Sequence, residues 1–191
     1  MTIYQQIIGH DFWEDVIAFW HHLPGVSRMD RLRANGFPDR YLELCFCGSI
    51  VDSESLTMLE SGIAAGKRTV VLCGKPGTGK TTACVVVASR TGIGKYVTAY
   101  AYAAIAPWDD ARQQYLRTRF LVIDDLGLER DADRLKIEEL IFERHARQSI
   151  TAISTNLTID EVCARYSDRI VSRLREDGSI SLIKQVLRAG N

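Results

Sequence analysis

Residues 74–81 constrain this sequence more than any other segment, because they fit the pattern G-x-x-x-x-G-K-[ST]. Glycines in this pattern let the backbone wrap closely around a polyphosphate with its N–H groups turned inward. Lys80 is expected to reach the β- and γ-phosphates, and the hydroxyl of Thr81 is expected to bind Mg²⁺. The residues predicted to bind the nucleotide are Gly74, Lys75, Pro76, Gly77, Thr78, Gly79, Lys80, Thr81 and Thr82.

The segments on either side support this prediction. Residues 69–73 are apolar and β-branched, which is typical of a short buried strand. Residues 82–89 can form a helix in spite of their valines, because a buried helix tolerates weak helix propensity. Such a helix would point its positive end at the phosphates. This context disfavours the alternative, a glycine-rich turn that binds nothing.

Two adjacent carboxylates, Asp124 and Asp125, follow an apolar run over residues 120–123 that predicts another buried strand. Ligands in open α/β sheets bind at the carboxyl ends of the strands. We therefore expect Asp124 to hold Mg²⁺ through water, and Asp125 to orient or deprotonate the attacking water. A strand that runs into a solvated turn gives the same pattern, but its position after a phosphate loop favours a nucleotide site.

A polar residue, Asn156, follows the apolar run 150–154, which predicts a further buried strand. At that strand tip its side chain would lie beside the γ-phosphate and could position water. The alternative is an asparagine that opens a turn or caps a helix near Thr158. The residues alone leave both interpretations open.

Three arginines recur at four-residue intervals, Arg165, Arg169 and Arg173. A continuous helix would place them on one face. One of them could be offered to the nucleotide of a neighbouring subunit, a contact that contributes ~10³–10⁵ in rate in other nucleotide hydrolases. The alternative is a solvated face, paired with Glu161 and Asp168.

Composition limits the class of protein. The chain has 191 residues, 46% of them hydrophobic, which favours one domain with a small extension. Its 24 basic and 24 acidic residues exclude an overall field that recruits nucleic acid or membrane. No run approaches the ~18 apolar residues of a membrane span, and residues 1–10 do not suggest a signal peptide. The odd number of cysteines, with two near the phosphate loop, favours reduced thiols and a cytoplasmic location.

Several further elements are predicted. Residues 1–23 carry aromatic residues at helical spacing, for packing on the main domain or for docking a partner protein. Residues 95–103 alternate tyrosine and threonine with small apolar residues, which predicts a strand. Cys45 and Cys47 would share one face of a strand, and His21 and His22 precede them. A zinc site is one interpretation, but the spacing fits no usual zinc pattern and favours core or rim cysteines.

The order of motifs resembles the AAA+ ATPases of the DnaC/DnaI helicase-loader and IstB transposition-helper group. The resemblance covers about residues 33–183. It is carried by residues 35–41 (NGFPDRY), 74–81 (GKPGTGKT), 120–127 (FLVIDDLG), 154–157 (STNL) and 167–174 (SDRIVSRL).

This resemblance implies a P-loop NTPase fold, an α/β three-layer sandwich with a five-stranded parallel sheet. The expected domains are a small N-terminal helical extension, residues 1–34, and an ATPase domain over 35–191. This chain departs from the family in two respects, since the loaders usually carry a longer N-terminal region and residues 184–191 leave no room for a lid domain. Asn156 would be the sensor 1 residue. Arg173 would match the arginine finger, with Arg169 as the other candidate. Residues 103–119 look too short for the extra helix with which initiator proteins hold DNA.

The function expected from the motifs and the resemblance is Mg-ATP-dependent hydrolysis that drives loading or remodelling of a DNA-acting partner. The cofactors would be ATP and Mg²⁺. The partner would be a replicative helicase or a transposase-like protein, with single-stranded DNA as a further candidate ligand and an ATP-dependent homo-oligomer as the assembly. The alternatives are an IstB-like transposition helper and a nucleotide-gated binding module with negligible hydrolysis.

Overall fold

The structure, a computed structural model, describes residues 28–46, 53–176 and the backbone of strand 178–183. The helices are α1 (Arg28–Ala34), α2 (Asp39–Phe46), α3 (Glu54–Ala64), α4 (Lys80–Thr91), α5 (Ala99–Ala104), α6 (Asp110–Arg117), α7 (Arg134–Ala146), α8 (Ile159–Arg165) and α9 (Asp168–Glu176). The strands are β1 (Thr69–Gly74), β2 (Lys95–Thr98), β3 (Phe120–Asp124), β4 (Ile150–Thr155) and β5 (Gly178–Ile183). A 3₁₀ turn, Asp131–Asp133, precedes α7.

The strands form one parallel sheet in the order β2-β3-β4-β1-β5. Parallel neighbours need crossover connections, which the helices supply. The predicted α/β fold with a parallel sheet is therefore confirmed. Strand β4 lies between β1 and β3, so its carboxyl end falls between the phosphate loop and the two carboxylates.

Both faces of the sheet are covered, because successive side chains of a strand point to opposite sides. Val70 and Leu72 of β1 face one hydrophobic cluster, which also contains Leu32 of α1. Val71 and Cys73 face the other cluster. Helix α1 is thus part of the same core as the phosphate-loop strand. No helix in the described ranges is long and apolar enough to cross a membrane.

Arg144 of α7 is fully buried and binds backbone oxygens in place of an acidic partner. Burial lowers the pKa of its guanidinium to about 9, which still leaves it charged at neutral pH. It joins the end of α6 to the start of β4. Its acceptors are the carbonyl oxygens of Tyr115 (2.6 Å), Leu116 (3.4 Å), Thr118 (2.8 Å) and Ile150 (2.7 Å), and the Oγ1 of Thr151 (2.9 Å).

The strand predicted over residues 95–103 is wrong beyond Thr98. Strand β2 ends there, and α5 begins at Ala99. The Thr98 side chain accepts a hydrogen bond from the N–H of Ala101 at 3.1 Å, as a helix cap does. Alanines, which have the highest helix propensity, follow at alternate positions and outweigh the β propensity of the tyrosines.

The predicted strand at Cys45 is also wrong, because Cys45 lies in helix α2. Cys47, His21 and His22 lie outside the described residues, as does the predicted helix in residues 1–23. Among the described residues, no group of three or more His, Cys, Asp or Glu side chains could hold a metal ion.

In the described part of this segment, no continuous helix aligns the three arginines on one face. Helix α8 ends at Arg165, and α9 begins at Asp168. Glu138 of α7 accepts hydrogen bonds from the N–H of Ser167 (3.0 Å) and from its hydroxyl (2.6 Å), which anchors the break. Arg165 is therefore separated from Arg169 and Arg173.

Candidate nucleotide-binding site

The loop between β1 and α4 encloses the ammonium group of Lys80. Gly77 (φ 82°) and Gly79 (φ 78°) are in the left-handed region, where a side chain would strain the backbone. The Nζ of Lys80 donates to the carbonyl oxygens of Gly74 (2.7 Å) and Lys75 (2.8 Å). The loop thus bends around a positive charge at the amino end of a helix, a geometry suited to anions.

Lys80 also contacts side-chain oxygens. Its Nζ lies 3.2 Å from the Oγ1 of Thr78 and 3.2 Å from the Oδ1 of Asn156. Burial lowers the pKa of the Lys80 ammonium, and the nearby Asp124 and Asp125 oppose that shift. The cation is therefore held among acceptors at the carboxyl end of the sheet.

Asp124, the last residue of β3, is buried and accepts hydrogen bonds from hydroxyl groups on three other elements. Its Oδ1 accepts from Thr81 at 2.7 Å and from the hydroxyl of Ser154. Its Oδ2 accepts from the hydroxyl of Tyr96 at 2.5 Å. Thr81 and Asp124 offer adjacent oxygen atoms, the kind of ligand that Mg²⁺ prefers. In proteins Mg²⁺ is usually held by one or two carboxylates together with the phosphates of a substrate.

Asp125 has an unusual backbone conformation, with φ 55°. Its N–H donates to the Oγ of Ser154 at 3.3 Å, which fixes the turn after β3. Burial and the neighbouring Asp124 raise the pKa of the Asp125 carboxyl, although Lys80 and Arg40 lower it in part. A strained residue with a raised pKa at a strand end is typical of a functional group.

Asn156 follows β4 and is exposed on the cavity side of the sheet. It does not cap the next helix. Thr158 does so, because its side chain accepts from the N–H of Glu161 at 3.2 Å within a capping box. The alternative in which Asn156 is only a helix cap is therefore wrong.

These groups line one cavity of about 340 Å³, within the usual size range of small-ligand sites. Sequence reasoning missed four of the contributors: Arg40 and Tyr41 of α2 in the cavity wall, Ser154 of β4, and Tyr96 behind Asp124. The Cζ of Arg40 lies 4.5 Å from the ring centroid of Tyr41. The lining residues are Arg40, Tyr41, Pro76, Gly77, Gly79, Lys80, Thr81, Thr82, Asp124, Asp125, Ser154 and Asn156.

Within the described part of the chain, Arg169 and Arg173 lie outside this lining. Both guanidinium groups pack over the ring of Phe142 on α7, with Cζ 3.6 Å and 4.9 Å from its centroid. The buried Nε of Arg173 has no hydrogen-bond partner among the described residues. Arg165 binds Glu129 (3.1 Å) and Asp131 (2.8 Å) instead.

About half of the chain is similar to a known protein family. A family model described as RNA helicase matches residues 70–161, a segment that holds the phosphate loop, Asp124, Asp125 and Asn156. A search of the curated proteins found no match.

Solved structures match more of the chain. The DnaC helicase loader is 23% identical with a TM-score of 0.61, over 77% of this chain and 100% of that one. A structure described as a candidate primosome component from Streptococcus pyogenes serotype M3 is 15% identical with a TM-score of 0.64, over 83% and 98%. This chain therefore shares its fold with the DnaC helicase loader and with that candidate primosome component.

The replication initiator DnaA has a similar fold. The AMPPCP-bound DnaA from Aquifex aeolicus is 18% identical, with a TM-score of 0.57 over 71% of this chain. The match covers 48% of that DnaA chain, so this chain spans about half of its length. Similarity at these identities shows a shared fold and does not assign an activity.

Proposed function

We propose that this chain is an Mg-ATP-dependent AAA+ ATPase that loads or remodels a DNA-acting protein partner. One observation carries the proposal: Lys80 from the phosphate loop, Asp124 and Asp125 from β3, and Asn156 from β4 converge on one cavity. Phosphoryl transfer depends mainly on positioned charges of this kind.

Each side chain has a role in the proposed reaction. Backbone N–H groups of the loop and the ammonium of Lys80 bind the β- and γ-phosphates of ATP. Asp125 accepts a proton from the attacking water, and Asn156 positions that water. Thr81 and Asp124 would hold Mg²⁺, which would neutralise charge on the phosphates.

An arginine from a neighbouring copy completes the proposed site. Arg173 is the first candidate and Arg169 the second. Stacking on Phe142 holds both guanidinium groups outside the cavity of their own chain, which supports an action on a neighbour. The assembly is then a head-to-tail homo-oligomer that forms with ATP, since each interface presents a nucleotide to an arginine.

The proposed partner is a replicative helicase or a transposase-like protein, and single-stranded DNA is a further proposed ligand. The DnaC helicase loader and the candidate primosome component, which share the fold, support a role in replication. ATP hydrolysis would release or rearrange the partner.

Sedimentation of the purified protein tests the proposal. It would be measured with ADP and with a non-hydrolysable ATP analogue, each with and without single-stranded DNA. Assembly that requires the ATP analogue and increases with DNA supports the loader function. A monomer under all four conditions contradicts the trans arginine and favours the nucleotide-gated binding module.

Nucleotide binding is tested separately with Lys80→Ala and a fluorescent ATP analogue. We expect the dissociation constant to rise about 100-fold, since a charged contact to the phosphates is lost. Lys67→Ala is the matched control, because Lys67 lies before β1 and outside the loop. Equal binding by wild type and Lys80→Ala would contradict the assignment of the site.

A further inference from the structure

Tyr96 of β2 donates its hydroxyl hydrogen to the Oδ2 of Asp124 at 2.5 Å, behind the candidate site. The tyrosine is 8% exposed. The other carboxylate oxygen, Oδ1, accepts from Thr81 at 2.7 Å and from Ser154. Each oxygen of Asp124 thus has its own donor, which prevents rotation of the carboxylate about its Cβ–Cγ bond.

The turn between α1 and α2 fixes the position of Tyr96. The N–H of Tyr96 donates to the carbonyl oxygen of Asn35 at 3.0 Å. The ring of Phe37 packs against the tyrosine ring, with centroids 5.7 Å apart. Gly36 (φ 89°) permits the close approach, since a Cβ on Gly36 would lie 2.7 Å from the Tyr96 carbonyl oxygen. Residues 35–37 therefore fix the strand from which the hydroxyl reaches Asp124.

We propose that Tyr96 is a positioning residue for the metal-binding carboxylate of Asp124, and that the turn 35–37 holds it in place. This inference rests on the proposed function, because it assigns a role toward the Mg²⁺ of that site. Outer groups that orient a metal ligand change metal affinity about 10- to 100-fold when they are removed. The segment that carries α1 and α2 then contributes to the metal site through Tyr96 as well as to the core.

Two effects of the hydroxyl oppose each other. A donor on Oδ2 withdraws negative charge from the carboxylate, so its loss alone would tighten metal binding. The same donor orients the carboxylate toward Thr81, so its loss would weaken binding. A positioning role requires the second effect to exceed the first, and the direction of the change in metal affinity therefore tests it.

Tyr96→Phe in the full chain removes the hydroxyl and keeps the ring against Phe37. The probe is Mn²⁺, titrated in the presence of ADP, with free Mn²⁺ measured by electron paramagnetic resonance. We expect the Mn²⁺ dissociation constant to rise about tenfold. ADP affinity measured in EDTA should stay within about twofold, because the phosphate loop is intact.

Tyr102→Phe is the matched control. Tyr102 is also a buried tyrosine with a bound hydroxyl, which accepts from the Nε of Arg112 at 3.3 Å. Tyr102 does not line the cavity of the candidate site. The Mn²⁺ affinity of Tyr102→Phe should therefore match that of the wild type. A general effect of removing a buried hydroxyl would weaken Mn²⁺ binding in both variants and would overturn the proposal.

Phe37→Leu provides a second route, since it keeps the hydroxyl and loosens the ring contact. We expect a smaller rise in the Mn²⁺ dissociation constant, about threefold. This variant decides the question if Tyr96→Phe does not fold. Unchanged or tighter Mn²⁺ binding in these variants overturns the proposal, whereas a wild-type protein that binds no Mn²⁺ with ADP overturns the proposed function itself.

Discussion

The Nζ of Lys80 lies 3.2 Å from the Oδ1 of Asn156, so a hydrogen bond joins the phosphate loop to the end of the neighbouring strand β4. The two residues are far apart in sequence and meet only because β4 pairs with β1. The lysine proposed to bind phosphate and the amide proposed to position water are thereby held together at the carboxyl ends of β1 and β4.

Asn156→Ala should lower kcat by about 10- to 100-fold and leave ATP affinity within about threefold, because the loop and Lys80 still bind the phosphates. Single-turnover hydrolysis and equilibrium binding of ATP measure the two effects. Thr158→Ala is the control, since it removes the cap of α8 without changing the site. It should lower the free energy of unfolding by about 1 kcal/mol. A loss of ATP affinity in Asn156→Ala, with kcat unchanged, would contradict the proposed role.

Asp125→Asn should abolish most hydrolysis, about 10²- to 10⁴-fold, and retain ATP binding. The pKa of Asp125 is raised above its ordinary value by burial and Asp124. The ionised base is present only above that pKa, so kcat should fall as pH decreases through it, at a higher pH than for an ordinary aspartate. The pH profile of kcat measures this limb. An exposed control, Asp160→Asn on α8, should keep the wild-type profile; a limb that persists in residual Asp125→Asn activity would exclude Asp125 as its source.

Arg173→Ala should lose most hydrolysis and regain it when mixed with Asp125→Asn. The mixed assembly contains interfaces in which an intact site faces an intact arginine, roughly a quarter of all interfaces for equal amounts. Hydrolysis as a function of the mixing ratio measures the recovery. The same experiment with Arg169→Ala identifies which arginine acts.

Arg175→Ala is the control on the same helix, since its exposed guanidinium binds the Sγ of Cys163 at 3.5 Å. It should hydrolyse ATP without complementation. If neither Arg173→Ala nor Arg169→Ala recovers activity on mixing, neither arginine acts on a neighbouring copy. The loss of hydrolysis would then come from the lost packing of the arginine against Phe142 in its own chain.

Arg144→Met should lower the free energy of unfolding by about 3 kcal/mol or more, because buried carbonyl oxygens lose their donor. Urea unfolding followed by circular dichroism measures this. Arg147→Met, at the exposed end of α7, should change stability by less than about 0.5 kcal/mol. Comparable stability of the two variants would show that the buried guanidinium network contributes little.

The phosphate loop and the buried strands beside it were predictable because both depend on local patterns: a fixed spacing of glycines and lysine, and short apolar runs. The parallel arrangement of the strands was expected only from the family resemblance. Asp124 and Asp125 follow from the rule that ligands bind at strand ends, whereas the residues alone left Asn156 open and the family resemblance favoured it; all three line the cavity. These positions need no knowledge of which distant residues touch.

The contributions of Arg40 and Tyr96 were not predictable, because each depends on a contact between segments far apart in sequence. Tyr96 reads as one residue of an alternating strand, and only the pairing of β2 with β3 brings it beside Asp124. The predicted length of β2 was wrong for a local reason, since Thr98 caps the helix that follows. The contact that stabilises the break before Asp168 was not predictable for a tertiary reason, since Glu138 lies on another helix.

The position of β1 between β4 and β5 has a consequence for biosynthesis. The strand that leads into the phosphate loop is made early, but one of its two hydrogen-bonding edges is paired only by residues 178–183. A nascent chain therefore presents an unpaired, strongly apolar edge until that last segment leaves the ribosome, and such edges promote aggregation. The yield of folded protein in a cell should accordingly depend on chaperone binding during translation. Chains that terminate before residue 178 should aggregate, because that edge of β1 stays unpaired.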